Sequence, residues 1–110
     1  MVALTVLDAG RRLVVRCGEE LSEGTVPRLE RQLLPYLGRA KAVFLDLSDV
    51  PFANSEGLRW ILRLDGGLRE QQKPLRVLVR PGSRVERALA LTGYDRMVDL
   101  HRSARSAWRA

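Results

Sequence analysis

Few residues in this chain come in types and spacings that support chemistry. The most suggestive stretch is Asn54-Ser55-Glu56-Gly57-Leu58, which follows the apolar run "VFLDLSDVPF" and opens a segment of helical period. A serine at such a strand-to-helix corner has two uses. Its hydroxyl can cap the helix by accepting a hydrogen bond from a free backbone N–H, worth about 1 kcal/mol. The same unpaired amides, with the positive end of the helix dipole, also favour an anion, so a phosphate on Ser55 can be carried without disturbing the fold. Phosphorylation would add about −1.5 to −2 charge at the surface and repel a partner docked there. On the residues alone both uses stay open.

No catalytic constellation can be assembled from the rest. The single histidine, His101, stands beside a basic tail and reads as a surface residue at a domain end. Cys17 falls on a strand and reads as a small core residue; as the only cysteine it cannot form an internal disulfide, and no metal-binding spacing surrounds it. Glu19, Glu20 and Glu23 lack the spacing of a calcium loop and read as a solvated loop. No glycine-rich loop followed by lysine is present to hold phosphates. The expectation is a protein without enzymatic activity, metal or cofactor.

A chain of 110 residues, 45% hydrophobic and 29% charged, suits one soluble domain with a real core. Its apolar runs are too short to span a membrane, and the N-terminus shows no basic leader before a sustained apolar stretch. The cytoplasm is therefore the expected compartment, with a monomer or weak dimer as the expected state. The net charge of +6 raises nucleic acid as a partner. Half of that excess comes from the last ten residues, "HRSARSAWRA", and 17 of the 19 basic residues are arginine. With no recognised nucleic-acid motif, an Arg-rich binding tail is kept only as an alternative.

The elements that must position these residues follow from periodicity. "ALTVLDAG" and "RRLVVRC" read as a β-hairpin with its turn at "DAGR". Val26, Leu29, Leu33 and Leu37 recur at helical spacing, with Thr25 as N-cap, Pro27 in the first turn, a kink or end near Pro35, and Gly38 as the stop. "KAVFLDLSDV" reads as a central strand. A second helix is expected from Glu56, with Leu58, Ile61, Leu62 and Leu68 on one face, Trp60 and Leu64 on its flank, and fraying or a bend at Gly66 and Gly67. "PLRVLVR" is a strand, and "GSRVERALALTG" a helix capped by Ser83 with Val85, Leu89 and Thr92 in register. "RMVDLH" is a last short strand. The order β-β-α-β-α-β-α-β predicts an α/β fold: one small mixed sheet of four to five strands packed with three to four helices. Residues 1–100 make the domain, and 101–110 a basic tail with a short helix, pinned by Trp108.

The central block, read with its neighbours, resembles the STAS family, the domain of bacterial anti-sigma factor antagonists and of sulphate transporters. The family pattern is an apolar strand followed by Asp-Ser-Ser/Thr-Gly-Leu opening a helix; here "VFLDLSDVPF" leads into Asn54 to Leu58. "VERALALTGYDRMVDL" matches the family's apolar helix, Thr-Gly and final strand, and "GEELSEGTVPRLERQL" is similar to its opening segment. The resemblance runs from about Leu4 to Leu100.

It implies a regulatory protein that binds an anti-sigma factor of the serine-kinase type, releases the sigma factor, and is switched off by phosphorylation at Ser55. ATP would belong to the partner. The partner surface would comprise Asn54, Ser55, Glu56, Gly57, Arg59, Trp60 and Arg63. Trp60 is there as an interface anchor, or else fills the groove between the second and third helices; Arg59 and Arg63 meet acidic groups or are simply solvated. Two departures bear on the switch. Asn54 stands where the family has an acid, and Glu56 where it has a hydroxyl. Glu56 could therefore supply local negative charge and leave a constitutive binder. Within the family, an accessory subunit of a transporter ATPase without a phosphoswitch is the other reading.

Overall fold

The computed structural model describes residues 4–9 and 11–109. Five strands form one sheet in sequence order: β1 (Leu4–Ala9), β2 (Arg12–Cys17), β3 (Ala42–Asp46), β4 (Leu75–Leu78) and β5 (Asp99–His101). β1 pairs antiparallel with β2 in the expected hairpin, and every later pairing is parallel. The turn expected at residues 8–11 includes Gly10, which lies outside the described residues, as do residues 1–3. The parallel connections need crossovers. These are α1 (Val26–Leu37), α2 (Ser55–Glu70) and α3 (Arg84–Thr92) with a 3-10 turn (Tyr94–Arg96). A short α4 (Ala104–Arg109) ends the described chain, giving a mixed sheet with four helices.

Alternation along the strands sorts two faces. Leu13, Val15 and Cys17 of β2, with Val43 and Leu45 of β3 and Val77 of β4, face the main core, against which the three crossover helices pack. The opposite face carries a much smaller apolar island, Ala42 and Phe44, covered by Ala107 of α4 with Val14 alongside. Trp108 closes this island, its ring centroid 4.9 Å from that of Phe44.

α1 ends at Leu37, close after Pro35 and with Gly38 as its C-cap, as expected; so near the helix end the missing N–H costs a single intrahelical bond. α2 runs on through Gly66 and Gly67 without fraying, since Leu68 beyond them is buried in the core and holds the last turn. Other local expectations need revision. Thr25 occupies the N-cap position of α1 but does not cap. Its hydroxyl donates to the Glu20 carbonyl at 2.6 Å and accepts from the Ser22 N–H, bracing the preceding loop. Thr92 is exposed and bonds back to the carbonyls of Ala88 and Leu89. Gly93, at φ 79°, then ends α3 in a left-handed cap. His101 is not a surface residue. It lies buried under α4, with Nδ1 2.7 Å from Ser106 Oγ and Nε2 2.8 Å from Asp99 Oδ1.

Candidate functional site

Ser55 stands where the carboxyl ends of the parallel strands emerge, the end of an open α/β sheet where ligand sites are found. Two loops build the corner. The Leu21 N–H donates to the Phe52 carbonyl at 3.1 Å, and the Asn54 N–H donates to the Leu21 carbonyl at 3.0 Å. With the isolated parallel bridge between Leu21 and Ala53, this zips the loop before α1 onto the segment that enters α2.

That seam explains Gly57. A Cβ there would lie 2.2 Å from the Leu21 carbonyl oxygen, a backbone atom that cannot swing aside. Gly57 is itself buried, and its missing Cβ allows the close approach of the two loops.

The cap belongs to Asn54, not to Ser55. Asn54 Oδ1 accepts from the Gly57 N–H at 3.1 Å, and helix geometry begins at Ser55, one residue earlier than expected. Asn54 Nδ2 also donates to Glu23 Oε2 at 2.6 Å. An amide can accept from the helix and donate to a carboxylate at once, which an ionised aspartate cannot. The departure from the family's acid is thus matched by an acid supplied from the neighbouring loop. That hydrogen bond, with a smaller contribution from a backbone N–H, holds the Glu23 carboxyl below the usual carboxylate range. Ser55, relieved of capping, is exposed, and its hydroxyl makes no hydrogen bond among the described residues.

Glu56 does not present bare charge beside this hydroxyl. Its two oxygens take one guanidinium each, Arg59 at 3.3 Å and Arg63 at 3.2 Å, so the trio is net cationic. Both arginines are half-exposed, and such pairs contribute at most about 1 kcal/mol each. They can therefore exchange partners at little cost.

Trp60 is 2% exposed and lies between α1 and α2, bordering a groove with Leu33, Leu37 and Leu64. Its ring is not exposed, and the residues that border the groove with it come from α1 and α2. The spacing 57, 60, 61, 64, 68 carries the signal, because it makes the buried stripe of α2 broader than the four leucine and isoleucine positions suggest. Leu21 and Glu23 are the site residues missed in the sequence; a glycine in the first turn of a helix was the available hint of a close neighbour.

The remaining chemical candidates lie elsewhere. Cys17 is buried, and burial, with a smaller push from the Asp46 charge, raises its thiol to about 12, so it has no thiolate to offer near neutral pH. Among the described residues no three His, Cys, Asp or Glu side chains group to hold a metal ion, and no helix is long and apolar enough to cross a membrane.

A stability contrast follows from the cap assignment. Asn54→Ala should cost about 1 kcal/mol in urea unfolding, while Ser55→Ala should stay within about 0.5 kcal/mol of the parent. Equal losses would mean that Ser55 shares the capping.

Comparison with known proteins places this fold. No curated protein matches the sequence. Among solved structures, an anti-sigma factor antagonist from Mycobacterium paratuberculosis superposes with a TM-score of 0.87 at 26% identity, covering 99% of this chain and 92% of that one. The anti-sigma factor antagonist SpoIIAA in its unphosphorylated form gives 0.71 at 14% identity, covering 94% and 92%. The RsbS protein of Moorella thermoacetica, in a variant form, gives 0.78 at 17% identity, covering 96% and 92%. The STAS domain model matches residues 3–107, nearly the full length described, and the chain belongs to the STAS domain family.

Proposed function

We propose that this protein is a non-enzymatic cytoplasmic anti-sigma factor antagonist, which binds an anti-sigma factor of the serine-kinase type and is released when that kinase phosphorylates Ser55. One observation carries the reading most: the Ser55 hydroxyl is exposed at the first position of α2 and makes no hydrogen bond among the described residues, while Asn54 carries the cap. A phosphate there would break no internal hydrogen bond and would meet the positive end of a helix dipole. Modification would change the surface and leave the fold intact. The likeness to anti-sigma factor antagonists supports the class of partner.

The partner face consists of the solvent-facing groups at this corner: Ser55, Glu56, Arg59 and Arg63 of α2, with Asn54 and Glu23 beside them. Gly57 and Trp60 act from beneath, by holding α2 in place. Phosphorylation would place a dianion among these groups, and Arg59, four residues on, is the cation best placed along the helix to turn toward it. A partner contact made by Arg59 would then be lost together with the neutral serine surface.

The test is capture of an anti-sigma kinase by wild type, Ser55→Ala and Ser55→Asp. Ser55→Ala should bind like wild type and resist release by ATP. Ser55→Asp should weaken binding by at least tenfold, about 1.4 kcal/mol, with an unchanged circular dichroism spectrum. Identical affinity for all three proteins, and no phosphate incorporation at residue 55, would remove the switch.

A further inference from the structure

The end of the sheet opposite Ser55, where the parallel strands begin, collects cations that make no ion pair among the described residues. Arg12 opens β2 beside Ala42 of β3, and Lys41 immediately precedes Ala42. Arg39 lies in the loop between α1 and β3, and Arg109 in the last turn of α4. All four are exposed, and among the described residues none makes an ion pair; Arg12 instead lies over the Trp108 ring, 4.9 Å from its centroid. Carboxylates also lie at this end: Asp99 is paired with Arg76 and Asp65 with Arg69, Glu70 sits in the last turn of α2, and Asp8 of β1 stands opposite Leu13. Two aromatic side chains flank the cations, Tyr36 at 46% exposure on the α1 side and Trp108 at 44% on the α4 side.

We propose that this pole docks on anionic phospholipid membranes, its arginines and lysine on lipid phosphates and the rings of Tyr36 and Trp108 at the headgroup level. Clustered Lys and Arg near an anionic leaflet attract it at roughly a fivefold gain in affinity per charge. Half-exposed Trp and Tyr favour the water–hydrocarbon boundary, where one end of the ring is wet and the other apolar. Nucleic acid suits the same charges less well. Base stacking needs an open aromatic face, and the Trp108 ring is already engaged by Arg12 and by Phe44. Docking at this pole would leave Ser55 pointing away from the bilayer. The proposal is independent of the kinase reading.

The experiment is flotation of the full chain with phosphatidylcholine vesicles, with and without one third phosphatidylglycerol. Binding is expected only to the anionic vesicles and should fall as salt rises. Combined Arg12→Gln, Arg39→Gln, Lys41→Gln and Arg109→Gln should lower affinity a few hundredfold, roughly fivefold per charge. The pair Arg39→Gln and Lys41→Gln, which leaves the Arg12–Trp108 contact alone, should lower it roughly twenty-five-fold by the same rule. Brominated lipid should quench Trp108 and spare Trp60, which is buried in the core. Ser55→Asp should float like wild type. The proposal is overturned by equal binding to both vesicles, by no binding, by substitutions without effect, or by charge-dependent retention on DNA or RNA while anionic vesicles are ignored.

Discussion

Gly57→Ala should be the most damaging single-methyl change in this protein, costing more than about 3 kcal/mol in urea unfolding and preventing expression of folded chain at 37 °C. The added Cβ would sit 2.2 Å from the Leu21 carbonyl oxygen and 2.6 Å from the Leu21 Cβ. Neither atom can move alone. The Leu21 carbonyl accepts from the Asn54 N–H, its N–H donates to Phe52, and its side chain is fully buried. Relief therefore requires the loop before α1 to peel from the corner, which breaks the seam and leaves buried polar groups unpaired. Alanine is otherwise the better helix former, so intrinsic propensity alone predicts a gain of about 1 kcal/mol. The two accounts differ in sign, and one denaturation curve separates them. Gly66→Ala and Gly67→Ala are the internal controls: among the described residues a Cβ at either position meets nothing within 4 Å, and both changes should stabilise.

Trp60→Ala should cost about 3–5 kcal/mol, and Trp60→Phe markedly less. The indole fills the space between α1 and α2, among the largest fully buried side chains of the molecule. A chain of this length has only about 5–15 kcal/mol of stability to lose, so Trp60→Ala is expected to be partly unfolded at body temperature. Trp60→Phe should remain folded and capture its partner with unchanged affinity. An interface anchor would behave the other way, with little loss of stability and a large loss of binding. Unfolding and capture measured on the same two variants decide between these roles.

Much of the architecture was legible because it is written in local periodicity. The helical spacing of Val26, Leu29 and Leu33, the pairing of Ser83 with Gly93 around α3, and the apolar run of β3 each point to one element and one face. The corner was legible as a place but not as a mechanism. Ser55 looks like a cap until Asn54 is seen to take that duty, and Asn54 does so while held by Glu23, more than thirty positions earlier in the chain. The crowding at Gly57 likewise depends on Leu21. Periodicity carries no information about such meetings, which are decided by how loops fold back on one another. His101 was misjudged for the same reason. Its polarity and its basic neighbours suggested the surface, but α4 returns across the sheet and covers it, with Ser106 meeting one ring nitrogen.

The thin apolar island beneath α4 has a consequence for how the molecule breathes. Only Ala107 is buried from that six-residue segment, and its attachment otherwise relies on one indole ring and the imidazole–hydroxyl contact. Lifting it would cost far less than opening the main core, so amide exchange there should be orders of magnitude faster than in the central strands. Each excursion would bare Phe44 and Val14 to water. A bulky fusion at the carboxyl terminus would hold that flap ajar, and an amino-terminal tag is the safer choice for any binding measurement.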